Sequence, residues 1–190
     1  MPNQRVKSDR YSAALHTCRL PAPLGGKTDG MNDRYLYRGI NEKLYDTSKG
    51  VLYPKLNCPF NYIFKADGTI KADGSATAGP SEKNAVLRHE LRQEGFPTSG
   101  ISTTPVFGRA QYYATNGGKY SIGYVFKIDR NLFRKFGVKE YIVSEWIPHP
   151  SIPEDKEVIL VAQDFGSLPI EVIVDTMNVS VQPGAGEGRS

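Results

Sequence analysis

The sequence predicts an α+β domain built round two packed, mainly antiparallel β-sheets, with helices mostly in its N-terminal half. Two features of the chain lead there. Helix-like segments fall before residue 117, and runs of alternating or apolar β-forming residues fill the stretch from 121 to 181. The composition agrees: 19 Gly and 13 Pro beside 11 Tyr and 8 Phe suit short strands, turns and aromatic clefts rather than a helical bundle. At 190 residues, 39% hydrophobic and 23% charged, the chain supports a single core.

Residues 1–33 read as a polar, partly ordered leader, with Pro21, Pro23, Gly25, Gly26 and Gly30 close together. The domain is expected over 34–181, with 182–190 a flexible tail. Arg34 to Ile40 reads as a first strand. Asp67-Gly68 marks a hairpin turn between Asn61–Lys65 and Thr69–Lys71, echoed at Asp73-Gly74. Ser81 to Glu94 is the clearest helix, capped by Ser81, faced by Val86, Leu87 and Leu91, and stopped by Gly95 and Pro97. His89 on that helix reads as a surface residue. Gly100 to Thr104 predicts a strand, and a second helix opens at Pro105, turns Ala110, Tyr113 and Ala114 inward and ends at Asn116-Gly117-Gly118. Ser121 to Asp129 is the cleanest strand, with Ile122, Tyr124, Phe126 and Ile128 on one face. Tyr141–Ser144, Glu157–Ala162 and Ile170–Val181 complete the strands.

Charge narrows the function only loosely. The net charge of +4 gives a mild positive field that attracts phosphate-bearing ligands. The basic residues are scattered, and Lys127–Lys139 reads as a solvated face round a turn. Cys18 and Cys58 have no CxxC spacing and no His pair, so no metal is implied. No apolar run is long enough to span a membrane, and the first twenty residues lack a secretory signal. There is no phosphate loop and no nucleophile elbow.

Three segments place polar groups at strand ends: Tyr37-Arg38-Gly39, Ser102-Thr103-Thr104 and the acidic run Glu154-Asp155-Lys156-Glu157. In that order they resemble the ADP-ribosyltransferase superfamily, in the branch marked by an Arg, a Ser-Thr-Ser strand and a catalytic Glu, the bacterial toxin and effector type. The resemblance spans about residues 35–165. It implies an NAD⁺ cleft between the sheets, with Arg38 and Gly39 at the dinucleotide, Ser102 holding the carboxylate, and Thr103 and Thr104 shaping the nicotinamide pocket. Glu157 would bond a ribose hydroxyl and stabilise developing positive charge. Tyr113 or Tyr120 would stack on nicotinamide. Asp155, where the superfamily has Glu or Gln, and Trp146, in a Pro-stiffened loop, would face the acceptor.

The resemblance thus implies a mono-ADP-ribosyltransferase with NAD⁺ as co-substrate, acting on protein or nucleic acid in a target-cell cytosol after secretion or injection. A cognate immunity protein would suit such an effector, and no membrane partner is expected. Two alternatives stay open, an NAD⁺ glycohydrolase and a non-catalytic binding module on the same fold.

Overall fold

Strand β1 (Tyr35–Asn41) does not pair with its neighbour in sequence but with β3 (Ile122–Asp129), whose other edge takes β6 (Ile173–Ser180). The second sheet has the order β2-β5-β4, from β2 (Ile101–Thr103), β5 (Val158–Ala162) and β4 (Val138–Ile142). Every ladder is antiparallel. The computed structural model describes residues 34–63, 79–90 and 97–180, all of which fall in one compact unit, Met31–Ser190. The expected leader, both Asp-Gly turns, the end of the first predicted helix and the tail lie outside the described residues.

Alternation along the strands builds the layers. Leu36 and Ile40 of β1 meet Phe126 and Ile128 of β3, and this face packs on Ile101, Val158 and Leu160 of the other sheet. The reverse face of β3 carries Val125, which packs with Val179 under Ala110 and Ala114 of α3 (Phe107–Ala114). The outer face of the second sheet, Tyr141, Ile159 and Val161, is covered by Ala85 and Val86 of α2 (Glu82–Glu90) and by Val143 of α5 (Val143–Trp146). Strand β5 is buried at all five positions because it has a core on each side. β3 is likewise packed on both faces, where alternation alone suggests a half-exposed strand.

Glycine makes the closest of these layer contacts possible. A Cβ on Gly39 would meet the backbone of α3, with Ala114 N at 2.8 Å and the Ala110 carbonyl nearer still, and one on Gly123 would lie 2.6 Å from the Ala114 carbonyl carbon. The helix rests directly on bare strand backbone.

Several elements differ from expectation. Asn41 caps an unexpected short helix, α1 (Glu42–Ser48), by accepting from Leu44 N, and Lys49 ends it in a left-handed conformation. Helix α3 starts at Phe107 rather than Pro105, because the Thr104 hydroxyl holds Val106 N in a turn ahead of it. The strand expected at Tyr141–Ser144 lies earlier, at Val138–Ile142, and Val143 opens a helical turn. Ile170–Val172 is a 3₁₀ turn before β6. The basic stretch from Lys127 holds another single turn, α4 (Phe133–Phe136), with Phe133 buried, while Arg130 pairs with Glu140 at 2.9 Å and Lys139 with Glu82 at 2.6 Å. Among the described residues three longer helices thus precede residue 115, and the two later ones are single turns.

Candidate active site

The two sheets touch at one end through a backbone bridge: Tyr37 N donates to Thr104 O at 2.8 Å and Thr104 N donates to Tyr37 O at 3.0 Å. Beside it lies a cavity of about 600 Å³, lined from both β1 and β2. Its walls hold Arg38 and Gly39 on one side and Ser102, Thr103 and Thr104 on the other, with Asp155 and Glu157 entering ahead of β5. That is the size of a small-molecule cleft.

Register decides which side chains converge. Ser102 pairs with Ile159, so its hydroxyl lies on the same face as Ile159 and Glu157, the face that α2 covers. From α2, His89 reaches that spot: its Nε2 lies 2.9 Å from Ser102 Oγ and 3.6 Å from Glu157 Oε1, and its Nδ1 lies 2.6 Å from Thr98 Oγ1. Thr98 Oγ1 in turn accepts from Gly100 N at 3.2 Å. With the ring proton on Nε2 the chain runs one way, Thr98 to His89 to Ser102 to Glu157.

Burial of Glu157 pushes its carboxyl up, but hydrogen bonds from His89 and Ser102 outweigh that and hold it down at about 2. It is therefore an anion at neutral pH. Its carbonyl accepts from Val143 N at 3.0 Å, which ties the residue to α5. Arg38 comes from the opposite wall, and its Nη1 donates to the Ser102 carbonyl at 3.0 Å, linking the guanidinium to the strand that bears the hydroxyl. Thr103 is occupied structurally: its hydroxyl donates to the Val158 carbonyl at 2.6 Å and pins β2 to β5.

Asp155 is only 4% exposed, deeper than an acceptor-facing residue would suggest. One carboxylate oxygen accepts from Arg109 Nε at 2.7 Å, and the other from the Tyr113 hydroxyl. Lys156, between the two acids, is left-handed at φ 46°, so the alternation that sets Glu157 on the Ile159 face does not carry back to Asp155.

Eight of the ten residues expected at the site line this one cleft: Arg38, Gly39, Ser102, Thr103, Thr104, Tyr113, Asp155 and Glu157. Two are placed elsewhere. Tyr120 is 47% exposed in the turn after α3 and is not among the lining residues, and Trp146 packs edge-on against Tyr141 beside the outer cluster. His89, read as a surface residue, is at the centre instead. Its spacing from Val86, three positions along the helix, was the available signal, because Val86 is fully buried. Arg109 has no sequence signal of its own.

The model of the NarE family matches residues 35–160, the stretch that contains both sheets' first strands and all these lining residues up to Glu157. The chain belongs to the NarE family. NarE is an ADP-ribosyltransferase-like family, and the two small antiparallel sheets with few helices accord with that fold. No curated protein matches the chain. Among the described residues no group of three or more His, Cys, Asp and Glu side chains could hold a metal ion, and no helix is long and apolar enough to cross a membrane.

Proposed function

We propose that this NarE-family chain is a mono-ADP-ribosyltransferase that takes NAD⁺ as donor and passes ADP-ribose to a macromolecular acceptor. One observation carries the reading: a cleft with a guanidinium on one wall faces an ionised, hydrogen-bonded carboxylate on the other. The lining fits the donor. Arg38 offers charge-assisted hydrogen bonds to a pyrophosphate, and Tyr37, Tyr53 and Tyr113 offer ring faces to a planar base. Glu157, fixed by Ser102 and His89, accepts from a ribose hydroxyl and stabilises positive charge growing at the ribose carbon as nicotinamide leaves.

The test is transfer from labelled NAD⁺ into a cell lysate by wild type and Glu157→Ala, with label separated into protein, nucleic acid and free ADP-ribose. Label in macromolecules that falls at least a hundredfold in the variant supports transfer. Label in free ADP-ribose alone supports the second reading, an NAD⁺ glycohydrolase, which the engagement of Asp155 by Arg109 and Tyr113 favours. As an effector acting in a target-cell cytosol, the wild-type chain is expected to arrest growth of a host that tolerates Glu157→Ala.

A further inference from the structure

Most charged groups of the cleft are already engaged by the fold. Arg38 donates to the Ser102 carbonyl, Glu157 takes hydrogen bonds from His89 and Ser102, and Asp155 accepts from Arg109 and the Tyr113 hydroxyl. Lys55 differs. It lines the same cavity, yet among the described residues no hydrogen bond or ion pair reaches its ammonium. Two positions earlier, Tyr53 lines the cavity as well; it is 63% exposed and its ring touches no other ring among the described residues. That phenol leaves an apolar area in water that a ligand can cover.

The segment bearing this pair is anchored at both ends. Leu52 packs in the core between the sheets, and its carbonyl accepts from Leu168 N at 3.0 Å. Phe60 packs in the outer cluster, its ring 4.8 Å from that of Tyr141. Pro54 disfavours helical backbone at Tyr53, and residues two apart on an extended chain share a side. Tyr53-Pro54-Lys55 therefore presents a ring and a cation to one space from a backbone that is held.

We propose that Tyr53 and Lys55 form the adenylate end of the donor site: the Lys55 ammonium meets a phosphate oxygen of the dinucleotide and the Tyr53 ring lies against the adenine. The inference rests on the donor reading above and extends it to a segment outside both sheets. A pyrophosphate carries two negative charges, and Arg38 and Lys55 offer one cation for each. Lysine suits the second place, because a point charge on a flexible stem meets a phosphate oxygen without needing the fixed fork of a guanidinium. These contacts fall on the part of the donor that does not react. They are the same before and during cleavage of the nicotinamide bond, so they contribute affinity rather than rate.

The test is calorimetric binding of ADP-ribose and of nicotinamide, neither of which needs turnover, beside KM and kcat for nicotinamide release from NAD⁺. Lys55→Met keeps the stem and removes the charge. It is expected to weaken ADP-ribose about tenfold or more, to leave nicotinamide binding unchanged, and to raise KM by a similar factor with kcat held. The gap from wild type should narrow as salt rises. Lys55→Arg, which restores the cation, should recover affinity to within about threefold. Tyr53→Ala is expected to weaken ADP-ribose about fivefold, and Tyr53→Phe, which keeps the ring, to recover it. Both positions are exposed, so the core is untouched by these changes. Unchanged ADP-ribose affinity in Lys55→Met, a loss that Lys55→Arg does not restore, or an effect on kcat with KM held overturns the proposal. Wild type that binds ADP-ribose but releases no nicotinamide removes the transferase reading, and the binding of ADP-ribose by the variants then decides the role of Lys55 by itself.

Discussion

The imidazole of His89 ties α2 to β2 by setting its Nε2 2.9 Å from the hydroxyl of Ser102. Because Ser102 in turn serves Glu157, the ring acts through the hydroxyl as well as directly across 3.6 Å. His89→Ala is expected to lower nicotinamide release roughly tenfold to a hundredfold, the loss of one or two hydrogen bonds to a charged network. His89→Gln, which can still donate to Ser102, should recover part of it. Steady-state kinetics of the two variants separate this from a folding defect, since both remove the same ring from α2.

Glu157 makes stability depend on pH in a defined window. Its folded carboxyl is lowered from the ordinary value of 4.5 to about 2, with His89 and Glu90 of α2 and Ser102 of β2 facing it. A lowered carboxyl stabilises the fold above the unfolded value and loses that contribution as pH falls through the folded one. The advantage of wild type over Glu157→Gln is therefore expected to be full at pH 6 and to shrink between pH 4.5 and pH 2. Urea midpoints for both proteins across that range measure it, and a difference that stays constant would refute the assignment.

Gly39→Ala is expected to destabilise the fold by about 3 kcal/mol, since its new methyl would enter the backbone of α3 rather than a movable side chain. Gly108→Ala, near the start of α3 itself, is the matched control. A Cβ there meets nothing within 4 Å, so that helical position should gain about 0.5–1 kcal/mol. Opposite signs in thermal unfolding are the expected outcome.

Much of this site is legible in the sequence, for a physical reason. Arg38 and Ser102 lie inside β1 and β2 and Glu157 directly precedes β5, and those strands are readable from their alternating or apolar runs. Helix α2 shows where that logic stops. Its buried residues include Asn84 and Glu90, which accept or donate within the fold, so the helix looks polar on the very face it buries and His89 looks exposed with it. One-turn helices such as Phe133–Phe136 are too short to show any period. Arg109 acquires its meaning only from Asp155, which packing brings to it from 46 positions away.

Asp129 closes β3 through two separate partners: it accepts from Asn131 N at 3.0 Å, capping the 3₁₀ turn, and from the Arg34 guanidinium, whose Nη2 lies at 2.6 Å and Nε at 3.1 Å. The hydrogen bond from Arg34, ahead of the opposing cost of burial, holds its carboxyl below the usual range. Asp129→Ala should cost about 1 kcal/mol through the lost cap. Arg34→Ala should cost less, because the guanidinium is half-exposed and screened by solvent. Chemical denaturation of the two variants ranks them.

Pairing order sets the pace at which this protein becomes itself. β1 must wait for β3, β3 for β6 and β2 for β5, so β4 and β5 are the paired strands that are also neighbours along the chain. Such long-range closure places folding in the slow range, milliseconds to seconds, because loop entropy is lost before the ladders repay it. Arg38 and Glu157 belong to the two sheets that must both be complete before they face each other. A nascent chain therefore carries no complete cleft until β6, the last described strand, has emerged and docked on β3, and the pocket between the sheets arrives late and all at once.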